Sequence, residues 1–282
     1  VSNARAPQRI AIFGAAGHIG LPLALSLVRK APGIHLRLIA RIEGQIEALQ
    51  AAFPAHRSIQ ADYLDKSSLH RALDDVEAVF VVTPHFIDEE RAMTNLVEAL
   101  RDQVNILHVI RIVGFQPGST LASVPHHLRS YGTGVATQHF VAKEIIDASG
   151  LPVTYLNLGA SMIDNFLRVK TPRTERTLIW PDRLVPYVDP RDVAETAADV
   201  FLSTNSDAMH GVVTLNNGQD LLRGRDIANL MGEVIQSRIE FDATRDSYLK
   251  AYSIALEQKF KRKDAAEYFW SYFEYERSVE HN

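Results

Sequence analysis

The 282-residue sequence predicts an α/β fold, a parallel β-sheet with helices on both faces. Short β-branched runs alternate with longer helical patterns from the first strand onward. The runs are continuously apolar rather than alternating, as in strands buried on both sides. After about residue 160 the rhythm breaks and a mostly helical remainder follows.

The elements can be read in order. "RIAIFGA" (9–15) is a buried strand, and "HIGLPLALSLVRKA" (18–31) is a helix with Ile19, Leu23, Leu27 and Val28 on its apolar side. "IHLRLIAR" (34–41), "RSIQAD" (57–62), "AVFVVTP" (78–84), "NILHVIRIVGF" (105–115) and "PVTYLNLG" (152–159) are the next five strands. Between them lie the helices "GQIEALQAAF", "KSSLHRALDDV", "EERAMTNLVEALRDQ" and "ATQHFVAKEIIDASG". Beyond 160, "RLVPYVD" and "GVVTLNN" are short strands separated by the helix "RDVAETAADVFLS". The expected division is a nucleotide-binding domain over residues 9–160 and a partly interleaved lobe over 161–282.

Composition narrows the function. Hydrophobic residues make up 46%, charged residues 23%, and the formal net charge is −4, which recommends neither nucleic acid nor an anionic membrane as partner. There is no cysteine, so disulfides, thiolate catalysis and cysteine-ligated metals are excluded. His126, His127 and His139 have no spacing typical of a metal site, and no metal is expected. No apolar run approaches the ~20 residues of a membrane span. The start, "VSNARAPQR", has no apolar stretch like that of a signal peptide, and its "SNA" resembles a cloning remnant. A cytoplasmic protein is the expectation, with a homodimer as its candidate assembly.

The first strand–helix turn carries the strongest motif. "GAAGHIG" sets Gly14, Gly17 and Gly20 at GxxGxxG spacing, between a strand and a helix. Such glycines permit a tight turn, close approach of a pyrophosphate, and close packing of helix on strand, while the helix N-terminus attracts phosphate. The bland alternative is a turn that merely tolerates small residues. With the alternation around it, the motif points to a Rossmann-type doubly wound sheet and a smaller C-terminal substrate lobe. The second strand ends on Ala40 and Arg41, where an NAD site would carry a carboxylate. A guanidinium there suits a 2′-phosphate, so NADP(H) is favoured over NAD(H), although Glu43 nearby argues the other way. Arg37 is either a second such cation or a surface charge. Asp62 either accepts from the adenine amino group or shapes a turn. Ala15, His18, Ile19, Thr83, Pro84 and Leu158 complete the expected cofactor contacts.

These features, with "QADYLD", "VFVVTP", "SGLPVTYLNLGASMIDNF" and "VPYVDPRDVAETAADVF", resemble the NmrA-like group of atypical short-chain dehydrogenases/reductases over about residues 9–235. The resemblance implies an NADP(H)-dependent oxidoreductase passing hydride to or from a carbonyl, quinone or conjugated double bond of a hydrophobic, aromatic or terpenoid-like small molecule. The group also includes cofactor-sensing regulators without turnover, and a cofactor-retaining isomerase or epimerase is a third alternative. The chain departs from the wider pattern at two places. Arg111 stands near the end of strand five, where many relatives carry serine, and His139-x-x-x-Lys143 replaces Tyr-x-x-x-Lys.

Lysine in such reductases contacts the nicotinamide ribose, so Lys143 is the expected cofactor contact and proton-delivery group. His139 lies on the same helix face. It is either an auxiliary acid, with an ordinary pKa near 6.5, or a packed helix residue. Arg111 is a phosphate or substrate ligand, or one half of an internal ion pair. Topology puts the substrate at the carboxyl ends of the strands, with His85, Phe86, Phe115, Tyr131, Met162, Asn165 and Phe166 as expected walls. The aromatic stripe "YFWSYFEYE" (268–276) is core, an oligomer contact or a lid.

Overall fold

The computed structural model describes residues 5–103, 105–116, 118–204 and 211–279. The "SNA" at 2–4 lies outside them. The sequence runs form the first strands, β1 (Arg9–Phe13), β2 (His35–Ala40), β3 (Arg57–Gln60), β4 (Ala78–Val81) and β5 (His108–Val113). Between them lie α1 (Gly20–Lys30), α2 (Glu43–Ala52), α3 (Lys66–Leu73) and α4 (Glu89–Arg101). Then come α5 (His126–Arg129), α6 (Val135–Ser149), β6 (Val153–Leu158), β7 (Ser161–Met162), α7 (Thr171–Thr174), β8 (Thr177–Ile179), β9 (Val185–Val188), α8 (Pro190–Leu202) and β10 (Gly211–Leu215). The chain continues through β11 (Leu221–Leu222), α9 (Gly224–Ile235), β12 (Glu240–Asp242), α10 (Arg245–Phe260) and α11 (Ala265–Ser278).

The chain divides into two units, neither of them a single stretch of sequence. The first takes residues up to 114, 138–158 and 190–215; the second takes 115–137, 159–189 and 216 onward. The expected boundary at 160 therefore differs in two places: 115–137 falls in the second unit, and 190–215 returns to the first.

The first unit is built on a seven-stranded sheet of order β10-β6-β5-β4-β1-β2-β3. Each neighbouring pair is parallel. Ile10, Ile12, Leu38, Phe80, Ile110 and Leu156 are fully buried along it. This burial is why the strands read as unbroken apolar runs. Asp65 caps α3 by accepting from the Ser67 and Ser68 amides. Lys30 of α1 pairs with Glu195 and Asp199 of α8. "GVVTL" corrects an expectation: it is not a strand of the lobe but the sheet's seventh strand, parallel to β6. As an edge strand it is half exposed, which hides the apolar signature of its neighbours.

In the second unit β9 pairs parallel with β7 and antiparallel with β11, and β8 pairs with β12. Its core is aromatic. Phe166 packs on Trp180 and Tyr187 at centroid distances of 5.4 and 6.0 Å, and Tyr248 on Trp270 at 5.4 Å. The stripe on α11 belongs to this core, with Tyr268, Phe269, Trp270, Tyr272 and Tyr275 buried. The Tyr268 hydroxyl accepts from the Ala136 amide at 2.8 Å. Gly134, at φ +109°, has no room for a side chain beside this ring, since a Cβ would lie 2.5 Å from it. Arg183 is buried against Glu276 and lies 4.6 Å from the centre of the Phe273 ring.

Candidate active site and dinucleotide cradle

The glycine turn joins β1 to α1. Gly14 takes φ +66°, a conformation glycine adopts without strain, and an added Cβ would meet Val82 at 2.8 Å. The carbonyl of Gly14 accepts from the Gly17 amide at 2.8 Å. A Cβ on Gly20 would lie 2.2 Å from that same carbonyl, so only glycine lets α1 start against the turn. No side chain caps α1 and no acid stands in its first turn. The helix therefore presents a positive end beside a glycine-rich turn, the form of a phosphate cradle. Ala15 is buried, its amide donating to Ile39 at 3.1 Å, and Ile19 is the buried N-cap residue. His18 is exposed on the loop.

Arg41 stands exposed just past the end of β2, its backbone carbonyl held by Gln60 at 2.9 Å. Glu43 opens α2, where an acid complements the helix dipole. Arg37 sits four residues back, about 13 Å along the strand. It donates to the Ala72 and Asp74 carbonyls near the end of α3, away from the Arg41 end. Asp62 accepts from the Leu64 amide at 2.9 Å, and its own amide donates to Ser68. It shapes the turn into α3 and remains half exposed.

Arg111 does not end its strand. β5 begins only at His108, so Arg111 lies mid-strand with no exposure. Its Nη2 donates to Glu89 Oε1 and to Thr83 Oγ1, each at 2.7 Å, and Thr83 donates to Glu89 Oε2 at 2.8 Å. The internal ion pair is therefore the outcome. Thr83, buried, spends its hydroxyl within this cluster, while Pro84 beside it is exposed. Burial pushes the Glu89 carboxyl above its usual range and Arg111 pulls it back. Nothing in "DEE" (88–90) distinguishes Glu89 as the partner; the strand must be folded before that carboxylate meets Arg111.

His139 and Lys143 project from α6 into different surroundings. His139 is buried, and a Cβ on Gly114 would lie 3.4 Å from its Nε2, so the ring rests against the end of β5. Burial holds its pKa well below 6.5, and Arg111 and His85 push in the same direction. Burial therefore disfavours the charged ring, which weighs for the packed helix residue over the auxiliary acid. Lys143 is partly exposed. It pairs with Asp147 one turn on and lies 4.9 Å from the centre of the Tyr155 ring. The Tyr155 hydroxyl donates to Asp147 at 2.7 Å. Asp147 thus tethers the lysine, a partnership the i, i+4 spacing allows but does not announce. Leu158 closes β6 and is half buried.

The expected substrate walls divide between the units. His85 is exposed and Phe86 half buried in the first unit, Phe86 at φ +64°. Phe115, Tyr131, Met162, Asn165 and Phe166 belong to the second. Two of these pack against aromatic neighbours of that unit. Phe166 is core, for the reasons given above. Tyr131 packs edge-on against Tyr268 at 4.9 Å, with the Arg262 guanidinium over its ring. Phe115, Met162 and Asn165 remain half exposed.

The NmrA-like family model matches residues 6–280. The chain belongs to the NmrA-like family. This NmrA-like chain is similar in fold to triphenylmethane reductase of Citrobacter sp., solved with NADP(H): TM-score 0.74 and 19% identity, covering 96% of this chain and 91% of that one. It is also similar to an NADPH-dependent quinone oxidoreductase of Escherichia coli, solved with NADPH, with TM-score 0.73 and 18% identity over 94% and 87% of the two chains. In sequence it is 24% identical, over 89% of its length and 84% of the relative's, to a (4-alkanoyl-5-oxo-2,5-dihydrofuran-3-yl)methyl phosphate reductase of Streptomyces griseus.

Proposed function

We propose that this NmrA-like protein is an NADP(H)-dependent reductase acting on a carbonyl, quinone or conjugated double bond of a hydrophobic small molecule. The glycine cradle carries the reading: Gly14 at positive φ and Gly20 packed on the Gly14 carbonyl hold a tight turn against an uncapped helix N-terminus, the arrangement that receives a pyrophosphate. Arg41 would hold the 2′-phosphate, and Asp62 an adenine amino group. Bound NADPH would supply hydride from its nicotinamide ring. Lys143 would hold the ribose hydroxyls and assist proton delivery, with Asp147 steadying its ammonium. His139, uncharged and close to Gly114, would orient that end of the site. The reducible group draws support from the relatives, which are named for triphenylmethane, a quinone and an oxo-dihydrofuran methyl phosphate, the last of these a charged phosphate ester.

The test is NADPH oxidation against quinones, enones and aromatic aldehydes, with NADPH and NADH titrated in parallel. Tighter NADPH binding and turnover of one substrate class are expected; equal or tighter NADH binding would sink the cofactor assignment. A cofactor-binding sensor without turnover is the second reading, favoured by the engagement of Lys143 with Asp147. Tight NADPH binding with no turnover across the panel would select it.

A further inference from the structure

The other end of the same sheet carries a second cationic site. Strand register puts Arg9 beside His35, and Arg37 beside both Ala11 and Arg57. Neighbours in register share a face, and alternate residues along a strand share it too, so Arg9, His35, Arg37 and Arg57 face one way at the amino-terminal edge of β1, β2 and β3. These residues, with His56 and Gln50, border a cavity of about 390 Å³, and among the described residues no Asp or Glu lines it. The glycine loop lies beyond the far end of β1, about 16 Å along the strand.

The cations differ in how far they are neutralised. Arg9 is paired with Asp75 and Glu77. Arg37 uses Nη1 for both of its bonds, to the carbonyls of Ala72 in α3 and of Asp74 just past its end, and a carbonyl neutralises no charge. Arg57 and His35 have no ion pair among the described residues. His56 is anchored from behind, its Nδ1 accepting from the Leu36 amide at 3.3 Å. Burial and the charge of Arg57 lower the Arg37 pKa, and burial and His35 lower that of His56. Arg37 and Arg57 thus share one face with no direct ion pair among the described residues, and Asp74 and Asp75 offset only part of the repulsion and burial felt by Arg37, an arrangement that an anion relieves.

We infer that this groove binds a small phosphate dianion, inorganic phosphate or a phosphate monoester, at a site separate from the dinucleotide cradle. Two guanidiniums on adjacent strands about 4.8 Å apart can share the oxygens of one tetrahedral dianion, whereas a planar monocarboxylate satisfies one fork at a time. The volume falls in the range of small-ligand sites.

The experiment is calorimetric titration of the full chain with inorganic phosphate and with glycerol 3-phosphate, at ionic strength matched by chloride. Wild type, Arg57→Gln with His35→Gln, and Arg41→Ala are compared. All three substituted residues are exposed, so folding is retained. Saturable binding is expected in wild type and Arg41→Ala, and weakening of about tenfold or more in the double variant. A preference for glycerol 3-phosphate would identify a monoester as the ligand, and equal affinities the free ion. The inference fails if phosphate does no more than chloride, if the double variant binds like wild type, or if Arg41→Ala alone abolishes binding. Binding of heparin without binding of either phosphate would also overturn it, in favour of a polyanion surface.

Discussion

His139 occupies the position that carries tyrosine in many short-chain reductases, and its surroundings keep it uncharged. Below about pH 6.5 the unfolded chain binds a proton at this residue that the folded chain resists, so stability falls as pH falls. The contribution is at most about 1.4 kcal/mol per pH unit. His139→Phe should flatten the decline of urea-unfolding stability between pH 7 and 5; an unchanged slope would mean the ring is not held neutral. Lys143→Ala should slow single-turnover hydride transfer by about 10²–10⁴ if the lysine helps deliver the proton, with little effect from His139→Phe at pH 7.5. Loss of NADPH affinity alone would restrict Lys143 to binding. Arg41→Ala should cost about 1.5–3 kcal/mol of NADPH binding and leave NADH nearly untouched. An equal loss for both dinucleotides would remove the 2′-phosphate contact.

At the scale of elements, β1, β2, β4, β5 and β6 were legible because burial on both faces leaves largely apolar runs, whereas β3, RSIQ, is an edge strand with no buried residue and was legible mainly from the alternation around it. So was the glycine turn, whose three glycines match the close approach of α1. β10 was legible as a strand but not in its place, since its partner β6 lies some fifty residues earlier and its edge position admits polar residues. β7 and β8 are too short to show any period. Arg111 demanded a partner, yet only the folded β5–α4 arrangement selects Glu89. Removing one member of a buried pair costs about 3–5 kcal/mol, because the other is left charged and unsatisfied. Glu89→Gln should lower stability by that order, and joint replacement with Arg111→Met should recover part of it. Additive losses in denaturant melts would show the pair to be uncoupled.

On the scale of the whole molecule, a net charge of −4 conceals the local cation excess at the foot of the sheet, which is why composition alone argued against anionic partners. The two units also interleave, so a cut at 160, natural as it looks in sequence, removes α8 and β10 from the first unit. A fragment ending there should be far less soluble than the full chain, with β6 left as an unprotected edge. A monomeric, cooperatively melting fragment would contradict that.

The late arrival of β10 also bears on synthesis. On the ribosome, six strands of the sheet emerge before the residues that close its edge, and part of the second unit must be made in between. The nascent protein therefore passes through a period in which β6 is fully formed in sequence but lacks its neighbour. Slow decoding between residues 160 and 211 would prolong that exposure, and a chaperone that shields strand edges would act most strongly on this interval.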